Sequence, residues 1–184
     1  MWAFIVSIIA LVVALMALPT VFQMIWGRPK IFIQFTDTAL SHIPSVRVLW
    51  CELTNPPMIN PLLKRFFIRR MPAEDVVVHY SIRDTPANNL VFEAAPYIAE
   101  YPQALASSRR IRLTASGTPY TFRIVTVDTG KGEVFAIPKD DEKLPICSGI
   151  YSVLVEATVD GDKFYQATRR FVVRDTYPYV HWEL

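Results

Sequence analysis

The sequence predicts an all-β antiparallel sandwich preceded by one N-terminal transmembrane α-helix. Three observations carry that reading. The segment Met1–Trp26 (MWAFIVSIIALVVALMALPTVFQMIW) contains no Asp, Glu, Lys, Arg or His. After it, short alternating runs are separated by loops in a chain with 14 prolines and only 6 glycines, the pattern of strands punctuated by turns. Near the C-terminal end, Asp160-Gly161 stands between two alternating runs, which is a strong hairpin signal.

The N-terminal segment comes first. A hydrocarbon core of roughly 30 Å needs about 20 apolar helical residues, and a segment in lipid must be helical to satisfy its own backbone. Trp2 and Trp26 mark the two ends, with Phe22 one turn inside, where amphipathic rings favour the interface. Pro19 bends the helix modestly, which membrane helices tolerate. A cleaved signal peptide would show a basic start and small residues at the cut. Neither is present here. Arg28 and Lys30 follow the helix directly, so the positive-inside bias places the N-terminus outside and the globular part in the cytoplasm of a cell inner membrane. The interface anchors are therefore Trp2, Phe22, Trp26, Arg28 and Lys30. The two cysteines, Cys51 and Cys147, are too few for a disulfide-stapled secreted domain and are expected to be reduced.

The remaining chain divides into a sandwich domain over 28–176 and an aromatic tail over 177–184. Strands are expected at Lys30–Phe35, Val46–Thr54, Asp75–Arg83, Asn89–Ala94, Arg109–Ala115, Tyr120–Val127 and Glu133–Ile137, then at Ile150–Val159 and Lys163–Arg174. In Asp75–Arg83, Val76, Val78, Tyr80 and Ile82 alternate inward. The expected core is Trp50, Tyr80, Phe122, Tyr151, Val153, Val155, Phe171 and Val173.

The stretch Cys147-Ser-Gly-Ile-Tyr151-Ser-Val-Leu-Val-Glu-Ala, followed by Asp160-Gly161 and Arg170-Phe-Val-Val173, resembles the last two strands of immunoglobulin-like and fibronectin type III-like domains. The resemblance implies that Tyr151 is the corner tyrosine. It also makes the Trp50 strand the counterpart of one bearing a core tryptophan. No cysteine follows Tyr151 by two residues, so the family disulfide is expected to be absent. The resemblance speaks to fold and is silent on function. A helix followed by a strand-rich domain is also the layout of many uncharacterised bacterial membrane proteins.

Chemistry leaves little trace. A net charge of +2 is too mild for a nucleic-acid partner. Asp128-Thr129-Gly130 resembles an aspartic-protease loop but occurs once, with Lys131 after it, and reads as a strand ending in a turn. His42, His79 and His181 have no helical-spacing partners, and Asp140-Asp141-Glu142 lacks calcium-loop spacing. No catalytic residue, cofactor or metal site is assigned.

Two surface stretches remain. In Asn60–Pro72 (NPLLKRFFIRRMP) the cations Lys64, Arg65, Arg69 and Arg70 interleave with Phe66 and Phe67, a pattern suited to a membrane surface. The tail carries Tyr177, Tyr179, Trp182 and Leu184, either folded onto its own sandwich or free at the distal end to meet a partner. The expected function is a single-pass, non-enzymatic interaction module, an accessory or assembly subunit of a membrane complex. Membrane lipids and other subunits would be its partners. The alternative is an envelope- or solute-facing binding module on the non-cytoplasmic side.

Overall fold

The computed structural model describes residues 2–40, 43–62, 68–94, 110–128, 132–136, 143–161, 163–176 and 179–183. Helix α1 (Trp2–Trp26) is followed by β1 (Phe32–Leu40), β2 (Ile43–Thr54), β3 (Ala73–Asp84), β4 (Leu90–Ala94), β5 (Arg110–Leu113) and β6 (Tyr120–Asp128). The rest of the chain adds β7 (Glu133–Ala136), β8 (Leu144–Ile146), β9 (Gly149–Val159), β10 (Lys163–Val173) and β11 (Val180–Trp182). All described pairings are antiparallel. One sheet runs β1-β2-β6-β7-β8, and the other runs β11-β10-β9-β3-β4. Strands β4 and β5 share one edge of β3, β4 along its second half and β5 along its first.

Alternation builds the core. In β9, Tyr151, Val153, Val155, Ala157 and Val159 are buried, and in β3 so are Val76, Val78, Tyr80 and Ile82. Opposite them, β2 and β6 contribute Leu49, Cys51, Leu53 and Phe122. The sheets meet where the Tyr80 ring lies 5.5 Å from Phe122, and again where Phe35 lies 5.2 Å from Trp182. Such side chains supply most of the stabilisation, truncation of one large aromatic costing about 3–5 kcal/mol. At the β9–β10 turn, Asp160 and Gly161 take φ of 52° and 75°, the left-handed region that Asp and Gly tolerate best. The Tyr151 hydroxyl donates to the Cys147 carbonyl at 2.9 Å, the bond expected of a corner tyrosine.

Several expectations are corrected. Trp50 does not enter the core. It is only half-buried, and the Arg123 guanidinium stacks over its outer face at 5.1 Å. Within β2 the buried alternates are Leu49, Cys51 and Leu53, and Trp50 lies between them. The register of β2 on β6 shifts between Leu49 and Trp50, so that Leu49 pairs with Val125 and Trp50 with Arg123. Ile124 is the extra residue, and after it the phase reverses: Phe122 and Ile124 point inward on one side, Val125 and Val127 on the other. Strands β1 and β2 extend to Leu40 and back to Ile43, longer than their alternation suggested, whereas β5 is shorter. Strands β8 and β11 were not anticipated.

Candidate functional site

The described residues converge at the point where α1 meets the domain. Helix α1 is about 37 Å long at 1.5 Å per residue, and most of its described apolar side chains are exposed, Leu11, Met16 and Met24 at 60–74%. It is long and apolar enough to cross a membrane, and it lies near the N-terminus. In its last turn the rings of Phe22 and Trp26 are 4.7 Å apart.

Gln23 is the one amide side chain of α1, and it makes a bond in each direction. Its Oε1 accepts from the Arg69 N–H at 2.9 Å, and its Nε2 donates to the Arg69 carbonyl at 2.6 Å. Beside it, the Met71 N–H donates to the Gly27 carbonyl at 2.6 Å. Gly27 is needed for space: a Cβ there would lie 2.7 Å from the Arg69 carbonyl oxygen. Arg28 turns back to donate from Nε to the Met24 carbonyl at 3.0 Å, a cation satisfying the orphan acceptors of a helix C-terminus. Arg70 donates to the Arg28 carbonyl at 2.8 Å.

A second tie lies one step further on. Asn55 is fully buried. Its Oδ1 accepts from the Lys30 N–H at 3.2 Å, and its Nδ2 reaches the carbonyls of Met71 at 2.9 Å and Leu113 at 3.4 Å. One amide therefore holds the exit from the helix, the start of β3 and the end of β5. The Tyr165 hydroxyl adds a bond to the Pro29 carbonyl at 3.1 Å.

Of the expected membrane-surface residues, Arg69 and Arg70 stand at this junction. Lys64, Arg65, Phe66 and Phe67 lie outside the described residues. The anchors Phe22, Trp26, Arg28 and Lys30 are at the helix exit, and Trp2 opens α1. Among the expected partner residues, Tyr177 and Leu184 lie outside the described residues. Trp182 is corrected: it is buried, 7% exposed, because Val180–Trp182 pairs with β10 and turns its ring onto Phe35 and Phe171. Tyr179 is half-buried against the same core. The described part of the tail is thus folded onto its own sandwich, starting at the distal end of β10 and running back along it. Sequence reasoning missed Gln23 and Asn55. The available signal for Gln23 was a lone amide one turn from the end of an uncharged helix.

Among the described residues no group of His, Cys, Asp and Glu is arranged to hold a metal ion. Cys51 is buried, and burial together with the neighbouring Glu52 charge pushes its thiol well above the ordinary range, the opposite of a reactive thiolate. No known protein family, curated protein or solved structure matches this chain.

Proposed function

We propose that the protein is a single-pass, non-enzymatic membrane protein whose sandwich binds another protein, as an accessory or assembly subunit of a membrane complex. One observation carries this reading: the end of the sandwich opposite the helix bears exposed apolar residues. Leu90, Val91 and Ile150 are 50%, 37% and 40% exposed. Leu90 pairs with Arg83 near the end of β3, and Thr85 binds the Ile150 carbonyl, so all three stand at the distal rim. Apolar side chains grouped at one end of a domain fit a protein partner better than solvent.

The strand orders β1-β2-β6 and β10-β9-β3-β4, with the Tyr151 corner bond, support an immunoglobulin-like relationship. Strands β7 and β8 depart from it. The cations Arg28, Lys30, Arg69 and Arg70 at the helix exit support a cytoplasmic domain. The test is purification of the full chain in mild detergent, wild type beside Leu90→Asp/Ile150→Asp. A stoichiometric partner that the double variant loses is expected, and a wild-type chain that purifies alone would overturn the reading. Protease protection on sealed vesicles separates a cytoplasmic domain, digested only from that side, from the envelope-facing alternative.

A further inference from the structure

We propose that the membrane end of the domain is a lipid-binding surface, in which Arg28, Lys30 and Arg69 take the phosphates of anionic headgroups while Ile59 and Leu62 enter the acyl boundary beside them. The inference rests on α1 being the membrane span.

Depth is set by the junction. Gln23 lies three residues inside Trp26, about 4.5 Å along the helix axis, and it holds the backbone of Arg69 from both sides. The segment from Arg69 to Met71 therefore lies beside the last turn of the helix, level with the aromatic pair Phe22 and Trp26. That is headgroup depth for a helix of this length.

Charge is complementary there. Arg28, Lys30 and Arg69 are exposed, and among the described residues none has a carboxylate within ion-pair distance. Other arginines differ: beside the start of β3, Arg112 is paired with Glu74 at 2.8 Å and Arg110 with Asp75 at 3.4 Å, and near the end of β10 Arg170 is paired with Glu183 at 3.7 Å. Arg28 spends only its Nε on Met24, leaving the outer guanidinium nitrogens for a phosphate.

Apolar exposure is complementary as well. Ile59 and Leu62 are 79% and 65% exposed, more than any other large apolar residue described in the domain. They belong to the loop that starts at Asn55 and returns to the junction at Arg69–Met71, while Met58 and Ile68 of the same loop are buried at 7% and 2%. The loop is thus anchored inward by two side chains and leaves two outward at the membrane end. A bilayer covers such a surface without a second protein, its headgroups meeting the cations and its acyl boundary the apolar pair.

The test uses the full chain in liposomes, with Cys147→Ser and an environment-sensitive dye on Leu62→Cys, repeated on Ile59→Cys in case one site perturbs folding. In bilayers containing phosphatidylglycerol the dye emission should shift to the blue and be quenched by brominated acyl chains, and added salt should weaken both effects. Both should be lost in Arg28→Ser/Lys30→Ser/Arg69→Ser. A dye that stays water-exposed in anionic bilayers overturns the proposal, as does equal immersion in phosphatidylcholine alone or immersion that survives the triple variant. Resistance to alkaline extraction, read on the same liposomes, reports the anchor separately: loss of both readouts strikes the anchor, and loss of the dye signal alone strikes the lipid-binding surface.

Discussion

Gln23 and Arg69, 46 residues apart in sequence, are joined by two hydrogen bonds through which a side-chain amide imitates a neighbouring strand. Each bond is worth about 0.5–1.5 kcal/mol net. Gln23→Leu should therefore speed hydrogen exchange at the Arg69 and Met71 amides roughly tenfold, with β9 and β10 unaffected. Gly27→Ala should release the same amides, since its Cβ would displace the Arg69 carbonyl. Unchanged exchange at both amides in both variants would show that the junction is held by something else.

Asn55 offers a sharper test, because its partners are buried. Asn55→Leu strands the Lys30 N–H and the Met71 carbonyl away from water, at about 1–3 kcal/mol each. The melting temperature of the full chain in detergent should fall by roughly 5–15 °C. Asn55→Asp should also destabilise, since a carboxylate cannot donate to Met71. A wild-type melting curve for Asn55→Leu would remove Asn55 from the junction.

Trp182→Ala should cost about 3–5 kcal/mol, removing the contacts with Phe35, Phe171 and the Arg169 guanidinium that stacks over the indole at 5.3 Å. Were the tail a free docking arm, the same change would leave the melting temperature unmoved.

The two thiols should separate cleanly. Cys51 is buried, Cys147 is exposed, and neither is bonded to the other. Alkylation of the native protein without reductant should add one label, at Cys147, and alkylation in denaturant should add two. Two labels in the native state would mean that β2 opens readily.

Stability should be lost in alkali. Burial raises the hydroxyls of Tyr80, Tyr120 and Tyr151, the last helped by Cys147 and Asp84, and it raises the Cys51 thiol. A folded-state value above the unfolded one means that stability is complete below the unfolded value and is lost as pH rises past it. Melting temperature should thus hold level up to about pH 9 and decline above it, first through the thiol and then through the tyrosines. Tyr80→Phe should flatten the decline. A level profile through pH 11 would contradict the burial of these groups.

Much of this architecture was legible. The helix showed in the absence of charge, β3 and β9 in strict alternation, the hairpin in Asp160-Gly161 and the corner in Tyr151. Features set by pairing were not. The bulge at Ile124 reverses the face of β6 with no sign in its own sequence, and the core place of Trp50 was implied by the resemblance alone, whereas the alternation of Leu49, Cys51 and Leu53 leaves it between the buried positions. Leu144–Ile146 contains a proline, and Val180–Trp182 is too short to show a period. Gln23 and Asn55 act on backbone groups far along the chain, which local patterns do not reveal.

The contact between Phe35 and Trp182 has a consequence for how the domain is made. Synthesis proceeds from the helix, so β1 leaves the ribosome long before the residues that cover it. Contacts between distant segments form late because the intervening loop must close first. Throughout that interval Phe35 and then Phe171 hold an uncovered apolar face. The nascent sandwich is therefore most open to mispairing at its β1 and β10 edges. The β10 edge and the Phe35 ring are covered only when Val180–Trp182 pairs with β10.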